Sequence, residues 1–221
     1  MFSRALKRTY AEYGIYYCIL RCINHVYDRI WEILQGVDFI KMIPNTDEMF
    51  EGTNDCVEYG PSLSSDLSDS LDISRITSQD NILDIGCGKG KVLYILSKYG
   101  FGKVDGIEIC PGIAEICAKN LLRLKVNKAN VFVTDATKFE KYQDYNYYYL
   151  YNPFGADTLD KVLSQIDMAL QSPEKDVRLI YANPVHSNVF AKHPSWKFIK
   201  SLNPTYRRDY SIEIYGYYRN H

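Results

Sequence analysis

Leu83-Asp84-Ile85-Gly86-Cys87-Gly88-Lys89-Gly90 decides how this 221-residue chain is read. Ile82, Leu83 and Ile85 form an apolar run of the length of a short buried strand. Glycines at alternate positions then permit a sharp turn without Cβ clashes. Behind them Val92, Ile95, Leu96 and Tyr99 recur at helical spacing. Strand, glycine turn and helix together set free backbone N–H groups beside a nucleotide-like ligand. A G-x-G-x-x-G dinucleotide fingerprint would need glycine where Lys91 stands; the third glycine comes one residue early, at Gly90.

Downstream, strands and helices alternate. Val104–Ile109 reads as a second strand. A helix follows from Pro111, with Ile113, Ile116, Cys117, Asn120, Leu121 and Leu124 on one face. Val131–Val133 leads to Asp135, and Tyr147–Tyr151 leads to Asn152-Pro153-Phe154. Leu159, Val162, Leu163, Ile166 and Leu170 mark another helix before Val177–Ala182, which ends at Asn183-Pro184. Trp196–Leu202 and Ser211–Tyr218 form a hairpin around Asn203-Pro204. The pattern predicts an α/β fold: a seven-stranded, mostly parallel, Rossmann-like sheet with helices on both faces and a terminal antiparallel hairpin.

Upstream, residues 4 to 35 read as one or two helices stopping at Gly36. An irregular connection runs to Pro61, and Leu63, Leu67, Leu71 and Ser74 then share one helical face. The expected division is a helical extension and connection over 1–55, and the main domain over 56–221.

A net charge of −1 predicts no general attraction to nucleic acid. The basic residues near the end (Lys192, Lys197, Lys200, Arg207, Arg208, Arg219) read as a solvated face. Six cysteines without a C-x-x-C pair point to free thiols, no metal site and a reducing cytoplasm. Arg21 interrupts the apolar run Gly14–Leu20, so no segment is long enough to span a bilayer. The basic, tyrosine-rich first helix leaves a weak membrane-surface contact open.

In an open α/β sheet, ligands lie outside the carboxyl ends of the strands. Four successive strands here end in Asp84, Glu108, Asp135 and Asn152. Asp135 also suits a helix N-cap, and Asn152-Pro153 also suits a plain turn after a strand. His186 reads as a surface-loop histidine, and the tyrosines of 145–151 as strand packing.

Asp84 to Gly90 resembles motif I of class I S-adenosylmethionine-dependent methyltransferases. Together with Glu108, Asp135, Tyr151-Asn152-Pro153-Phe154 and Tyr181-Ala182-Asn183-Pro184, it resembles small bacterial members carrying a Y-N-P-F element. These are similar in outline to non-SET protein-lysine methyltransferases, and the resemblance covers about residues 55–190. It implies S-adenosylmethionine as cofactor. Asp84, Gly86, Gly88 and Gly90 would lie at its amino-acid end, Glu108 at its ribose and Asp135 at its adenine, with Cys87, Ile109, Ala136 and Asn152 also in the cofactor site. It further implies that Asn152, Pro153, Phe154 and Tyr59 handle the acceptor. Tyr59-Gly60-Pro61-Ser62 departs from the Tyr-Glu-Pro-Thr of that group, so no role passes to a glutamate there. The implied reaction is methyl transfer to a nitrogen acceptor, a protein lysine or small amine sooner than a nucleic acid, by in-line displacement without metal. The competing readings are a cofactor-binding protein without turnover and an NAD-binding oxidoreductase, which the glycine spacing disfavours.

Overall fold

The computed structural model describes residues 2–41, 67, 70–71, 75–170, 175–203 and 211–218. Seven strands form one sheet: β1 (Asn81–Ile85), β2 (Lys103–Glu108), β3 (Val131–Val133), β4 (Tyr147–Tyr151), β5 (Arg178–Ala182), β6 (Trp196–Leu202) and β7 (Ile212–Tyr217). Their order is β3-β2-β1-β4-β5-β7-β6. Strands β1 to β5 pair in parallel, while β7 runs antiparallel to both β5 and β6. The expected sheet and terminal hairpin are therefore present. The order reverses between β1 and β4, which opens a crevice at their carboxyl ends.

Side-chain alternation explains why the strands read as unbroken apolar runs. Leu83, Ile85, Tyr148, Leu150, Leu179 and Tyr181 point into one core, with Leu159, Val162, Leu163 and Ile166 of the helix Ala156–Ala169. Ile82, Tyr149, Ile180 and Ala182 point into the other, where Val92, Leu93, Ile95 and Leu96 join Cys117 and Leu121 of the helix Pro111–Arg123. A sheet covered on both faces has no polar side to alternate with. Leu67 and Leu71 join the second core and are linked by a backbone hydrogen bond of 3.2 Å, one helical turn. The remainder of the predicted helix around them lies largely outside the described residues.

Among the described residues the longer helices are α1 (Phe2–Gln35), α2 (Lys91–Leu96), α3 (Pro111–Arg123) and α4 (Ala156–Ala169). Helix α1 is broken at Gly14, whose φ of +80° and ψ of 176° are not helical. Helix α2 is shorter than its sequence period, because Tyr99 lies beyond its end. The chain then passes Gly100 and Gly102 so closely against the backbone of Ile76 and Ser78 that no Cβ fits, and a continued helix cannot make that approach.

Three polar clusters brace the frame. Asp105 accepts from the Asn130 backbone N–H and side-chain amide at 2.9 Å each, and from the Tyr145 hydroxyl at 2.7 Å. This pins the approach to β3. His193 lies between Asp167 at 2.7 Å and Asp160 at 3.2 Å, fastening the hairpin to α4. Asn146 ties β1 to β4 by accepting the Asn81 N–H at 2.9 Å. The tyrosines of the 145–151 run divide as strand packing requires: Tyr145, Tyr148 and Tyr149 are buried.

Candidate functional site

The glycine turn leaves β1 and is tied at once to β2. The N–H groups of Gly86 and Cys87 both donate to the Ile107 carbonyl at 2.9 Å. Gly86 has a φ of +82°, and a Cβ there would stand 2.6 Å from Pro153 Cβ. Gly90, at +84°, would place a Cβ 2.5 Å from the Cys117 sulfur. These two glycines therefore do more than turn the chain: one admits the segment after β4, the other lets α2 and α3 close together. Cys87 is buried, and the Cys117 thiol and burial push its own thiol up.

Glu108, at the end of β2, is nearly buried, and its two carboxylate oxygens are divided. Oε2 accepts the Gly88 N–H at 3.0 Å and Oε1 the Cys110 N–H at 2.9 Å. Burial raises its carboxyl above the ordinary range, against the pull of these N–H groups and that of the half-buried Ile109. Three N–H groups on about four lone-pair sites leave the carboxylate capacity for a further donor.

Asp84 is 2% exposed, and its Oδ2 has no hydrogen-bond partner. Burial, and then the charge of Glu108, push its carboxyl well above the usual carboxylate range. A buried, unpartnered carboxylate oxygen at a strand end is costly unless a cation or donor arrives there.

Asp135 caps the short 3-10 turn Ala136–Lys138, its Oδ1 accepting the Thr137 N–H at 2.8 Å and hydroxyl at 2.7 Å. Its Oδ2 stands 3.9 Å from Lys138 Nζ. The N-cap expected from sequence is thus present. Ala136 is buried, with its carbonyl accepting from the Tyr142 hydroxyl at 2.7 Å.

Asn152 ends β4 in a left-handed conformation, φ +40°, and Asn183 does the same beyond β5, φ +51°. Non-glycine residues seldom occupy this region unless the surroundings impose it, and such residues gather at functional sites. The Tyr181 hydroxyl reaches Asn152 Oδ1 at 3.2 Å. Burial pushes that phenol up to about 12, so it stays a donor at neutral pH. Pro153 seats on Gly86. Phe154 packs into the core with α4, which is not the free position at the mouth that the resemblance implied. Tyr59 lies outside the described residues. Asp84, Glu108, Asn152 and the glycines therefore meet around one crevice, and Asp135 stands at the end of the sheet's outer strand.

A second set of residues holds the turn from behind, and the sequence reading passed over it. Lys89 is fully buried; its ammonium contacts Asp38 Oδ2 at 2.9 Å and the Lys41 carbonyl at 2.7 Å. Asn120 of α3 donates to the carbonyls of Lys89 and Asp38 and accepts the Asp38 N–H, all within 3.0 Å. Arg123 donates to the Gly36 carbonyl. The segment after α1 is thereby strapped onto the glycine turn. Replacing Lys89 by Met should lower unfolding stability by about 2 kcal/mol, since Asp38 is exposed enough to rehydrate when its partner is lost. Chemical denaturation checks this.

Among the described residues no cluster of His, Cys, Asp and Glu suits a metal ion, and no helix is long and apolar enough to cross a membrane.

Residues 82–174 match a protein family described as "Methyltransferase domain". No curated protein matches the sequence. Among solved structures, a mutant of MtNAS in complex with S-adenosylmethionine superposes with a TM-score of 0.57 at 19% identity, covering 69% of this chain and 60% of that one. The RNA methyltransferase from Salinibacter ruber, in complex with S-adenosyl-L-homocysteine, gives 0.54 at 15% identity, over 73% of this chain and 95% of that one. StiE O-MT gives 0.52 at 20% identity, over 69% and 72%. The chain thus spans about three-fifths of the MtNAS structure it matches. At these identities the likeness is one of fold. From the glycine turn to the strand ends, residues 82–174 are similar to a methyltransferase domain.

Proposed function

We propose that the chain transfers a methyl group from S-adenosylmethionine to a nitrogen acceptor, a protein lysine or a small amine. One contact carries the reading. Pro153 packs on Gly86 where no Cβ fits, and this fixes Asn152 beside the turn that would hold the cofactor. The residues present fit that cofactor. The unpartnered oxygen of Asp84 suits its ammonium, and the lone pair left on Glu108 suits a ribose hydroxyl. Asp135 Oδ2 suits the adenine amino group, since Oδ1 is engaged by Thr137.

When bound, the cofactor supplies an electrophilic methyl group on a good leaving group, and the protein's work is positioning. The Tyr181 hydroxyl holds the Asn152 amide so that its carbonyl oxygen accepts an acceptor N–H and aims the nitrogen lone pair. An amide takes no proton, so the acceptor reacts as the neutral amine. The fold hosts several acceptor classes, so the choice of nitrogen rests on Asn152 and not on likeness. A near-neutral chain has no general attraction to nucleic acid.

The burial of Phe154 favours one second reading, a cofactor-binding protein without turnover, because it removes the aromatic platform expected for the acceptor. Transfer of labelled methyl into a lysate lacking this protein separates the two. The product is then split by protease, nuclease and size. Protease-sensitive or small-molecule label, reduced at least 100-fold in Asn152→Ala, is expected. Cofactor binding with no label in any fraction would favour the second reading.

A further inference from the structure

Helix α1 is turned inside out for a helix lying on a protein surface. Its polar groups face its own domain: Asp28 pairs with Lys91 at 2.9 Å, and buried Glu32 accepts the Phe39 N–H at 2.6 Å. Trp31 packs beside Phe39 and Tyr94 on the same side. The opposite face carries Tyr16, Ile19, Ile23, Val26, Ile30 and Ile33, each between 50% and 72% exposed. Their steps of three and four residues alternate without a fault, which is the 3.5-residue repeat of a coiled-coil seam.

We propose that this seam is where a second copy of the chain docks, helix against helix and antiparallel. Three observations select that occupant. With Ile15, Tyr27 and Leu34 along its edges, the exposed apolar face amounts to on the order of 1,000 Å² per chain, at or above the roughly 800 Å² per partner of a stable interface. The seam is also self-complementary. About a two-fold axis beside Asn24 and His25, Tyr16 falls opposite Ile33, Ile19 opposite Ile30, and Ile23 opposite Val26. β-Branched residues at both core positions disfavour a parallel two-stranded coil, whereas the clasped inner face leaves room for one partner helix. Finally, none of the seam and edge positions is charged, and the nearby Asp28 and Arg29 are paired with Lys91 and Glu32 at 2.9 Å, so two copies meet without like-charge repulsion.

Sedimentation of the full chain tests this independently of any methyl transfer. The wild type is expected at twice 25.6 kDa at micromolar concentration. Ile23→Glu with Ile30→Glu should sediment at 25.6 kDa, with the dissociation constant raised on the order of 100-fold or more and the melting profile of a folded domain kept. A wild type that stays at 25.6 kDa up to about 100 µM, the scale of weak association, overturns the proposal, as does a folded double variant that remains dimeric. A monomer that instead co-sediments with phosphatidylglycerol vesicles assigns the face to lipid. Should the double variant not fold, the wild-type mass decides alone.

Discussion

Replacing Asp84 by Asn is expected to give a protein that melts a few degrees higher and binds S-adenosylmethionine roughly 100-fold more weakly. Both effects have one cause. Asp84 Oδ2 is buried without a partner, and burial beside Glu108 raises its carboxyl well above the ordinary range. A raised value means that the folded protein holds this proton more tightly than the unfolded chain does. The fold is therefore strongest, in this respect, below the unfolded carboxylate range, and loses stability as pH climbs from there through the raised value. Above that raised range an unpaired buried charge is left, and there the uncharged amide relieves about 1–3 kcal/mol of the cost. The same charge is what an ammonium would pair with. Wild-type affinity should fall as pH drops through the raised range, because a protonated carboxyl no longer attracts a cation; the Asn variant should be flat. Thermal melts and calorimetric titrations across pH check both halves. A variant that binds as well as the wild type would remove Asp84 from the site.

Gly86→Ala should cost about 3 kcal/mol of stability, with methyl transfer lost. A left-handed φ costs a residue with a Cβ about 1–2 kcal/mol. The rest comes from a collision, because the new methyl would lie 2.6 Å from Pro153 Cβ. Pro153 must then withdraw and carry Asn152 with it. Adding Pro153→Gly should recover the steric part and not the dihedral part, giving a coupling of about 1–2 kcal/mol in a double-mutant cycle. Gly36 supplies the control: it too is left-handed, φ +66°, but the nearest atom to its would-be Cβ, on Arg123, is 3.8 Å away. Gly36→Ala should show the dihedral cost alone. Equal losses at the two glycines would contradict the account of the Gly86–Pro153 contact.

The strands were legible because their periodicity is that of a sheet buried on both faces. Leu83 and Ile85 serve one core while Ile82 serves the other, so the run is apolar throughout. The strand-end acids were legible because their spacing from each strand is local. What depended on distant partners was not. Lys89 was passed over because its partner Asp38 lies 51 positions away and Asn120, which holds its carbonyl, lies 31. Tyr181 reads as a strand aromatic, and its hydroxyl bond to Asn152 joins residues 29 apart. Helix α2 was over-extended because a helical period cannot reveal that Gly100 and Gly102 must slide against Ile76 and Ser78. Phe154 follows an Asn-Pro pair in a way that suggests a mouth residue. The left-handed turn at Asn152 sends the chain into α4, whose apolar face takes Phe154 into the core.

The central claim is that the Gly86–Gly90 turn with Asp84 and Glu108 binds S-adenosylmethionine. Calorimetric titration of the full chain with S-adenosylmethionine, and in parallel with NAD, tests it most directly, with Glu108→Ala as the comparison. One saturable site for S-adenosylmethionine, weakened at least tenfold in Glu108→Ala and untouched by NAD, is the predicted result. Saturable NAD binding that S-adenosylmethionine does not displace would contradict it.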